Sequence, residues 1–450
     1  MEPSLSTANF ARRCPACAHT IAVPFFDAGA QPLATLAFPE TREEARTLPR
    51  FQLRFVRCVD CGHIYNPEFD YDQVPYAKHP NKMFNLGTIW RDHLEQVGQL
   101  ILDSVPEAPC VVEIGCGDGH LLRSLAELRP AGRYVGFDPN AKVDTGNGLI
   151  EARAELFLAR RHLAELAPQM IVARHVLEHL VDPLALLQEI TFAVSCTQRP
   201  TKLLVEVPCV DLAIEACRTA DFFYEHNSHF TLRSLAKMLD RSGAEIELIE
   251  KGYGGEVVYA VASVLPLPYQ ERFGRESLAF AEHAEQASRT LAAQLDAIAR
   301  SNRRVAIWGG TGKAAALINQ CNMDAERFPL VVDSDRQKAG TFVPGMGQYI
   351  HYRDVLLKQP ADLIIIATQW RAADIVLEMQ RMGIGAETVL IEHQGRLIDY
   401  FHDDHPYRQV ARPTGSAWYR AESHSPLSPP LGVPPWAAAG LDMPLDAAGS

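Results

Sequence analysis

Cys110-Val111-Val112-Glu113-Ile114-Gly115-Cys116-Gly117-Asp118-Gly119 is a short apolar strand that runs into an acidic residue and three glycines at alternate positions. A dinucleotide-binding turn wants G-x-G-x-x-G, its third glycine set back for helix packing and the helix N-terminus facing a pyrophosphate. Here the spacing is E-x-G-x-G-x-G. Glycines in that register let the backbone approach a ligand closely and take φ values closed to other residues, which suits the flat adenosyl and amino-acid parts of S-adenosylmethionine. The stretch therefore reads as a binding loop for that cofactor, with Glu113, Gly115, Gly117 and Gly119 as contacts. About twenty residues on, Arg133-Tyr134-Val135-Gly136-Phe137-Asp138 is a second strand ending in an acid, where a ribose diol needs a carboxylate acceptor.

Working outward, strand and helix signals alternate as far as about residue 265, which predicts a doubly wound α/β domain with ligands at the carboxyl ends of its strands. A long polar helical pattern, roughly 271–302, separates it from a second strand, glycine turn and helix, Arg304-Val305-Ala306-Ile307-Trp308-Gly309-Gly310-Thr311-Gly312-Lys313-Ala314. A nucleotide or sugar phosphate would rest on the helix N-terminus there, on Gly309, Gly310, Gly312 and Lys313. It is not a Walker loop, because Ile307 stands five before Gly312 and Ala314 follows the lysine. A bare structural Rossmann half is the alternative. The expected organisation is 1–80, 81–270, a helical connector 271–302, a second Rossmann-like domain 303–402, and a disordered Pro-rich tail 403–450.

In the first segment Cys14-Pro15-Ala16-Cys17 and Cys58-Val59-Asp60-Cys61-Gly62 each resemble a zinc knuckle, in which two thiolates from one tight turn meet two from another. Cys14, Cys17, Cys58 and Cys61 would close a four-ligand site, structural and not catalytic. The six other cysteines are scattered singly, as in a reducing compartment. The net charge of −12 lacks any Lys/Arg block, which argues against nucleic acid as a partner. No signal peptide or apolar run of membrane-spanning length is visible, so a cytoplasmic protein is expected.

Two further stretches carry candidate chemistry. Arg174-His175-Val176-Leu177-Glu178-His179 contains H-x-x-E-H, but a strand ends at about Ala173 and Asp182-Pro183 soon follows, so the long helix that zinc ligation by both histidines needs is missing. This turn lies on the cofactor side of a doubly wound fold. Either His175 or Glu178 lines the pocket, or both only cap and orient the next helix. Phe223-Tyr224-Glu225-His226 sits beyond another strand end, where His226 suits a general base and Glu225 an orienting partner, with Tyr224 beside them. Read as structure, the same aromatics pack and Thr231 caps the following helix.

With these residues in place the chain resembles the C-methyltransferases of deoxysugar biosynthesis, which act on nucleotide-linked keto sugars. The resemblance runs through the two cysteine pairs, Glu113 to Gly119, His175 to His179, Glu225-His226 with Ser228 and Phe230, and the turn Gly309 to Lys313. It implies a zinc domain, a class I methyltransferase domain and a C-terminal Rossmann-like domain that holds the nucleotide sugar. It also implies that the residue matched by His226 removes a proton beside a ketone, with Tyr76, in Pro75-Tyr76, and Glu225 assisting. The resulting enolate takes the methyl group. The chain departs from the family at Phe223-Tyr224, at His229 and at Ala77-Lys78-His79-Pro80. Transfer to oxygen or nitrogen of another small metabolite, and a non-catalytic ligand-binding protein, are the competing readings.

Overall fold

The computed structural model describes residues 13–36, 38–74, 87–140 and 148–408. Tyr76 and the tail beyond residue 408 lie outside the described residues. Two compact units divide near Arg272.

The first unit opens with β1 (Ala22–Gln31), β2 (Phe51–Cys58) and β3 (Ile64–Tyr65). It continues through β4 (Cys110–Ile114), β5 (Arg133–Phe137), β6 (Glu151–Arg153), β7 (Met170–Arg174), β8 (Thr201–Pro208), β9 (Ser228–His229), β10 (Glu245–Gly252) and β11 (Val257–Val264). Its main sheet has the order β10-β11-β8-β7-β4-β5-β6. The strands from β8 to β6 are parallel, whereas β11 pairs antiparallel with both β8 and β10. The order reverses between β4 and β7, so their following loops diverge and leave a crevice at the carboxyl ends, where a doubly wound sheet binds ligands. The strands are near-continuous apolar runs because helices cover both faces. Val111, Val112, Ile171, Val172, Leu204 and Val205 are fully buried.

The N-terminal segment does not stand apart at residue 80. Strand β9, from deep in the central part, pairs with β3 and completes the sheet β1-β2-β3-β9. Phe222 and Tyr224 pack with Leu53, Phe55, Ile64 and Phe69 beneath that sheet. Residues 13–74 thus roof the central sheet as part of one unit, so the organisation is finer-grained in sequence than in space.

One helix, Pro268–Ala299, runs from the first unit into the second. The second unit contains β12 (Val305–Trp308), β13 (Leu330–Asp333), β14 (Ile350–Tyr352), β15 (Leu363–Ile366), β16 (Thr388–His393) and β17 (Arg396–Asp399). Its order is β14-β13-β12-β15-β16-β17, parallel except for β17, and it reverses between β12 and β15. Among the described residues, no helix is long and apolar enough to cross a membrane.

Phe230 is fully buried, its ring centroid 4.6 Å from that of His63, and it packs in the core that also holds Cys58, Cys61 and Tyr65. Phe230→Ala should destabilise by roughly 3–5 kcal/mol. Because that core joins the roof to the main sheet, circular dichroism and limited proteolysis should show both parts loosening together under urea.

Candidate functional site

The loop after β4 takes the left-handed conformations its glycines allow, with φ of 70° at Gly115, 55° at Gly117 and 76° at Gly119. Gly115 and Cys116 donate their backbone N–H groups to the Phe137 carbonyl, at 2.7 and 3.3 Å. A Cβ on Gly115 would lie 2.5 Å from Val176 Cγ2, so this loop presses directly on the one after β7. Around Gly117, by contrast, a Cβ would meet nothing within 4 Å, which leaves backbone open to a ligand. Asp138 directly follows β5 beside it, its carboxylate accepting from Gly117 N at 3.2 Å and Asn140 N at 2.8 Å. Glu113 is 5% exposed and its Oε2 has no hydrogen-bond partner among the described residues. Burial pushes its carboxyl up to about 8, against the pull of Arg174. An open glycine, an orphaned carboxyl oxygen and a strand-end acid fit S-adenosylmethionine, whose amino group is cationic and whose ribose donates hydrogen bonds.

The loop after β7 holds most of the charge. His175 has φ of 52°, and its backbone N–H donates to the Glu206 carbonyl at 2.9 Å. Its ring nitrogens face two carboxylates, Glu206 Oε1 at 3.1 Å and Glu178 Oε1 at 3.4 Å. Burial pushes the imidazole pKa down, but Glu178 and Glu206 together outweigh it and raise it to about 9. The next helix, Pro183–Thr197, is capped by Asp182, which accepts from Ala185 N at 3.0 Å. His175 and Glu178 are therefore not its caps. Leu177–His179 forms a single 3₁₀ turn, too short to present His175 and His179 as paired zinc ligands.

Glu206, which sequence reasoning missed, is the hub. Fully buried at the end of β8, it accepts from Arg174 Nη2 at 2.7 Å and Nε at 3.0 Å, and it meets His93 Nε2 at 2.7 Å from the helix Thr88–Asp103. Burial works against its charge, but Arg174, His175 and His93 hold its carboxyl well below the usual range. The signal was present: an acid in the otherwise apolar run Leu203-Leu204-Val205-Glu206-Val207, in register with Arg174 on the neighbouring strand. A charge in a doubly covered strand needs a partner, and the adjacent strand end supplies it.

The loop before β9 brings His226 to this site. Its ring lies 4.8 Å from that of His179 and 4.3 Å from that of Phe223. Burial, then His179, His229 and His175, hold its pKa well below the ordinary value, so the imidazole is neutral. His179 Nδ1 lies 2.9 Å from the Glu225 carbonyl, an arrangement that selects the tautomer with Nδ1 protonated. Ligating atoms of Glu178, His179 and His226 all lie within 4.8 Å of one another.

Tyr224 and Glu225 face the other way. Tyr224 stacks on Phe51 at 4.6 Å and accepts from Asp70 N at 3.0 Å. Glu225, fully buried, accepts at Oε1 from Thr35 N at 2.6 Å and Leu36 N at 3.1 Å. Both hold the roof onto the loop that carries His226.

In the roof, Cys14 Sγ lies 3.6 Å from Cys61 Sγ, and Cys17 Sγ 3.6 Å from Cys58 Sγ. Zinc–sulfur bonds of about 2.3 Å in a tetrahedron place sulfurs about 3.8 Å apart, so the four side chains fit zinc. Each knuckle closes on a left-handed residue, Ala18 at φ 61° and Gly62 at φ 78°.

In the second unit Gly309 has φ of 109° and Gly312 of 63°. Gly310 is there for packing, since a Cβ would lie 2.5 Å from Ile350 Cδ1. Its N–H points to Asp333 Oδ2 at 3.4 Å, repeating the Gly117–Asp138 arrangement. A pocket at the β12/β15 reversal is lined by Gly309, Thr311, Asp333, Lys338, Thr368 and Arg371. Lys313 is placed over the Trp370 ring at 5.8 Å instead.

Residues 89–249 match the family described as methyltransferase domain, and residues 275–393 the C-methyltransferase C-terminal domain. The C-methyltransferase NovU of Streptomyces niveus is 25% identical over 370 residues, 74% of this chain and 83% of that protein. Among solved structures, a SAM-dependent methyltransferase from Aquifex aeolicus is similar at TM-score 0.31 and 14% identity, over 44% of this chain and all of that one. An O-methyltransferase family protein from Burkholderia thailandensis gives 0.30 and 15%, over 39% and 59%.

Glu206→Gln should cost roughly 3–5 kcal/mol, because Arg174, His175 and His93 would keep their buried positions without the charge they share. A carboxyl held below its usual range contributes stability above its unfolded pKa of about 4.3 and loses it as pH falls. The raised imidazole of His175 contributes below its unfolded pKa of about 6.5 and loses that contribution as pH rises through about 9. Urea unfolding across pH should therefore show the Glu206→Gln deficit at neutral pH and its shrinkage in acid.

Proposed function

We propose that this chain, an S-adenosylmethionine-dependent methyltransferase similar to C-methyltransferases, methylates the carbon beside the ketone of a nucleotide-linked keto sugar. The observation that carries the reading is His226: a neutral imidazole beside an apolar ring and a second histidine, on a loop that meets the cofactor-side loop. A ketone acidifies its neighbouring C–H, and a positioned neutral imidazole is suited to taking that proton. S-adenosylmethionine supplies an electrophilic methyl group when it is bound. Glu113, Gly115, Gly117, Gly119 and Asp138 would hold it, and His175 shapes the pocket wall through its carboxylate contacts. Tyr224 and Glu225 act as positioning residues that fix the loop of His226, and Tyr76 completes the assignment as an assisting hydroxyl.

For the second unit we assign the nucleotide to the turn at Gly309, Gly310, Gly312 and Lys313. The helix Lys313–Gln320 presents its unpaired N–H groups there, and Lys338 and Arg371 add positive charge. Zinc at Cys14, Cys17, Cys58 and Cys61 would tie the two knuckles together and stabilise the roof, and a reducing, cytoplasmic setting suits those thiols.

Calorimetric titration with S-adenosylhomocysteine should show one site, with TDP filling a second independent site. TDP-linked 4-keto sugars should then yield a product whose new methyl carbon is bonded to carbon by NMR. An O- or N-methyl product, or cofactor binding with no nucleotide site, would defeat this reading. His226→Asn should lower kcat by roughly 10²–10⁴-fold while cofactor affinity stays near that of the parent.

Elemental analysis should find one zinc per chain, lost when Cys58→Ser and Cys61→Ser are combined, together with a fall in thermal stability. A fully folded, metal-free parent protein would overturn the zinc assignment.

A further inference from the structure

We infer that Glu178 is the electrostatic partner of the base, and that His175, held on its other nitrogen by Glu206, clamps Glu178 in place. This rests on the reading of His226 as the base. Sequence order suggests Glu225 for the partner, since it is adjacent to His226, but Glu225 sends Oε1 to Thr35 and Leu36 of the roof. Glu178 is 1% exposed, and neither of its carboxylate oxygens has a hydrogen-bond partner among the described residues. Its surroundings are histidines: His175 Nδ1 at 3.4 Å, His179 Nε2 at 4.0 Å, and a His226 nitrogen within 4.8 Å. A buried carboxylate with so little hydrogen bonding is costly unless a positive charge balances it. In the resting enzyme that charge is His175, which Glu206 grips on its other nitrogen.

During turnover the substrate C–H bond breaks. Its electron pair becomes the enolate, whose negative charge settles on the ketone oxygen, and the proton passes to His226. The imidazolium so formed faces His179, His229 and His175, all of which disfavour it, and Glu178, a carboxylate within 4.8 Å whose opposite charge favours it. The enolate pair then forms the new carbon–methyl bond as the carbon–sulfur bond of S-adenosylmethionine breaks and leaves its pair on sulfur. The imidazolium returns its proton to solvent. Glu178 is thus a positioning residue: it lies within 4.8 Å of the base and acts through it.

Two measurements on the full-length protein decide this. In ¹⁵N-histidine NMR without substrate, the parent should show His175 protonated on both ring nitrogens at neutral pH, and Glu178→Gln should lower the pH at which that histidine loses its second proton. In kinetics with TDP-4-keto-6-deoxyglucose as probe, Glu178→Gln should lower kcat about 10- to 100-fold with KM little changed. The acid limb of the kcat profile should move to lower pH, because the conjugate acid of His226 has lost its counter-charge. Glu178→Asp should recover part of the rate and of the limb, and it serves as the test variant if Glu178→Gln does not fold. A lower rate with an unmoved acid limb, or a histidine spectrum unchanged by the substitution, overturns the proposal. If the parent protein does not turn over the probe, the substrate reading has failed, and the NMR result still decides the clamp.

Discussion

A carboxylate with none of its surface exposed has to find its partners inside the protein, and Glu206 finds three. Arg174 comes from the adjacent strand, His175 from the loop that follows it, and His93 from the helix that precedes the glycine strand. The cost of burying that charge falls on all of them at once, so their positions are coupled. Helix, central strand and loop are thereby held in one arrangement at the open end of the sheet. Trp90 packs near both the Arg174 guanidinium, at 5.7 Å, and the His175 ring, at 5.9 Å.

The sheet reversal explains why this matters for chemistry. Loops leaving β4 and β7 run apart, and Gly115 lets them touch at Val176 before they separate. One branch carries the glycines, with Asp138 beside them just after β5, and together they suit a cofactor. The other carries His175, Glu178 and His179. A third element, the loop before β9, arrives from the roof side and adds His226. The roof is therefore part of the site's construction: its contacts to Tyr224 and Glu225 hold the loop of His226, and four cysteines packed in the core it shares with the main sheet close its two turns.

Much of this was legible in order of sequence. The strand-turn-helix pattern at 110–128, the acid closing β5, the helix starts at Pro183 and Leu232, and both C-x-x-C turns depend on neighbours a few residues apart. Local sterics and local hydrogen bonds decide such features, as with Gly62 at the end of the second knuckle. Less legible was Gly310, which looked like its neighbours Gly309 and Gly312 yet is small because Ile350 fills the space beside it. Adjacency also misled in the Tyr224-Glu225-His226 run, whose side chains diverge toward two different layers.

What the sequence determined by itself was the alphabet of the molecule: two doubly wound halves, a cysteine-rich start, a cofactor-type glycine loop and a histidine-bearing stretch beyond a strand end. These follow from periodicity and from residues whose backbone preferences are intrinsic. Tertiary structure alone decided which acid serves which base. Glu206 meets His93 across 113 positions, and Glu225 meets Thr35 across 190. A carboxylate's partner is set by which strand ends and loops converge in space, and burial there makes the pairing obligatory; no short-range pattern records it.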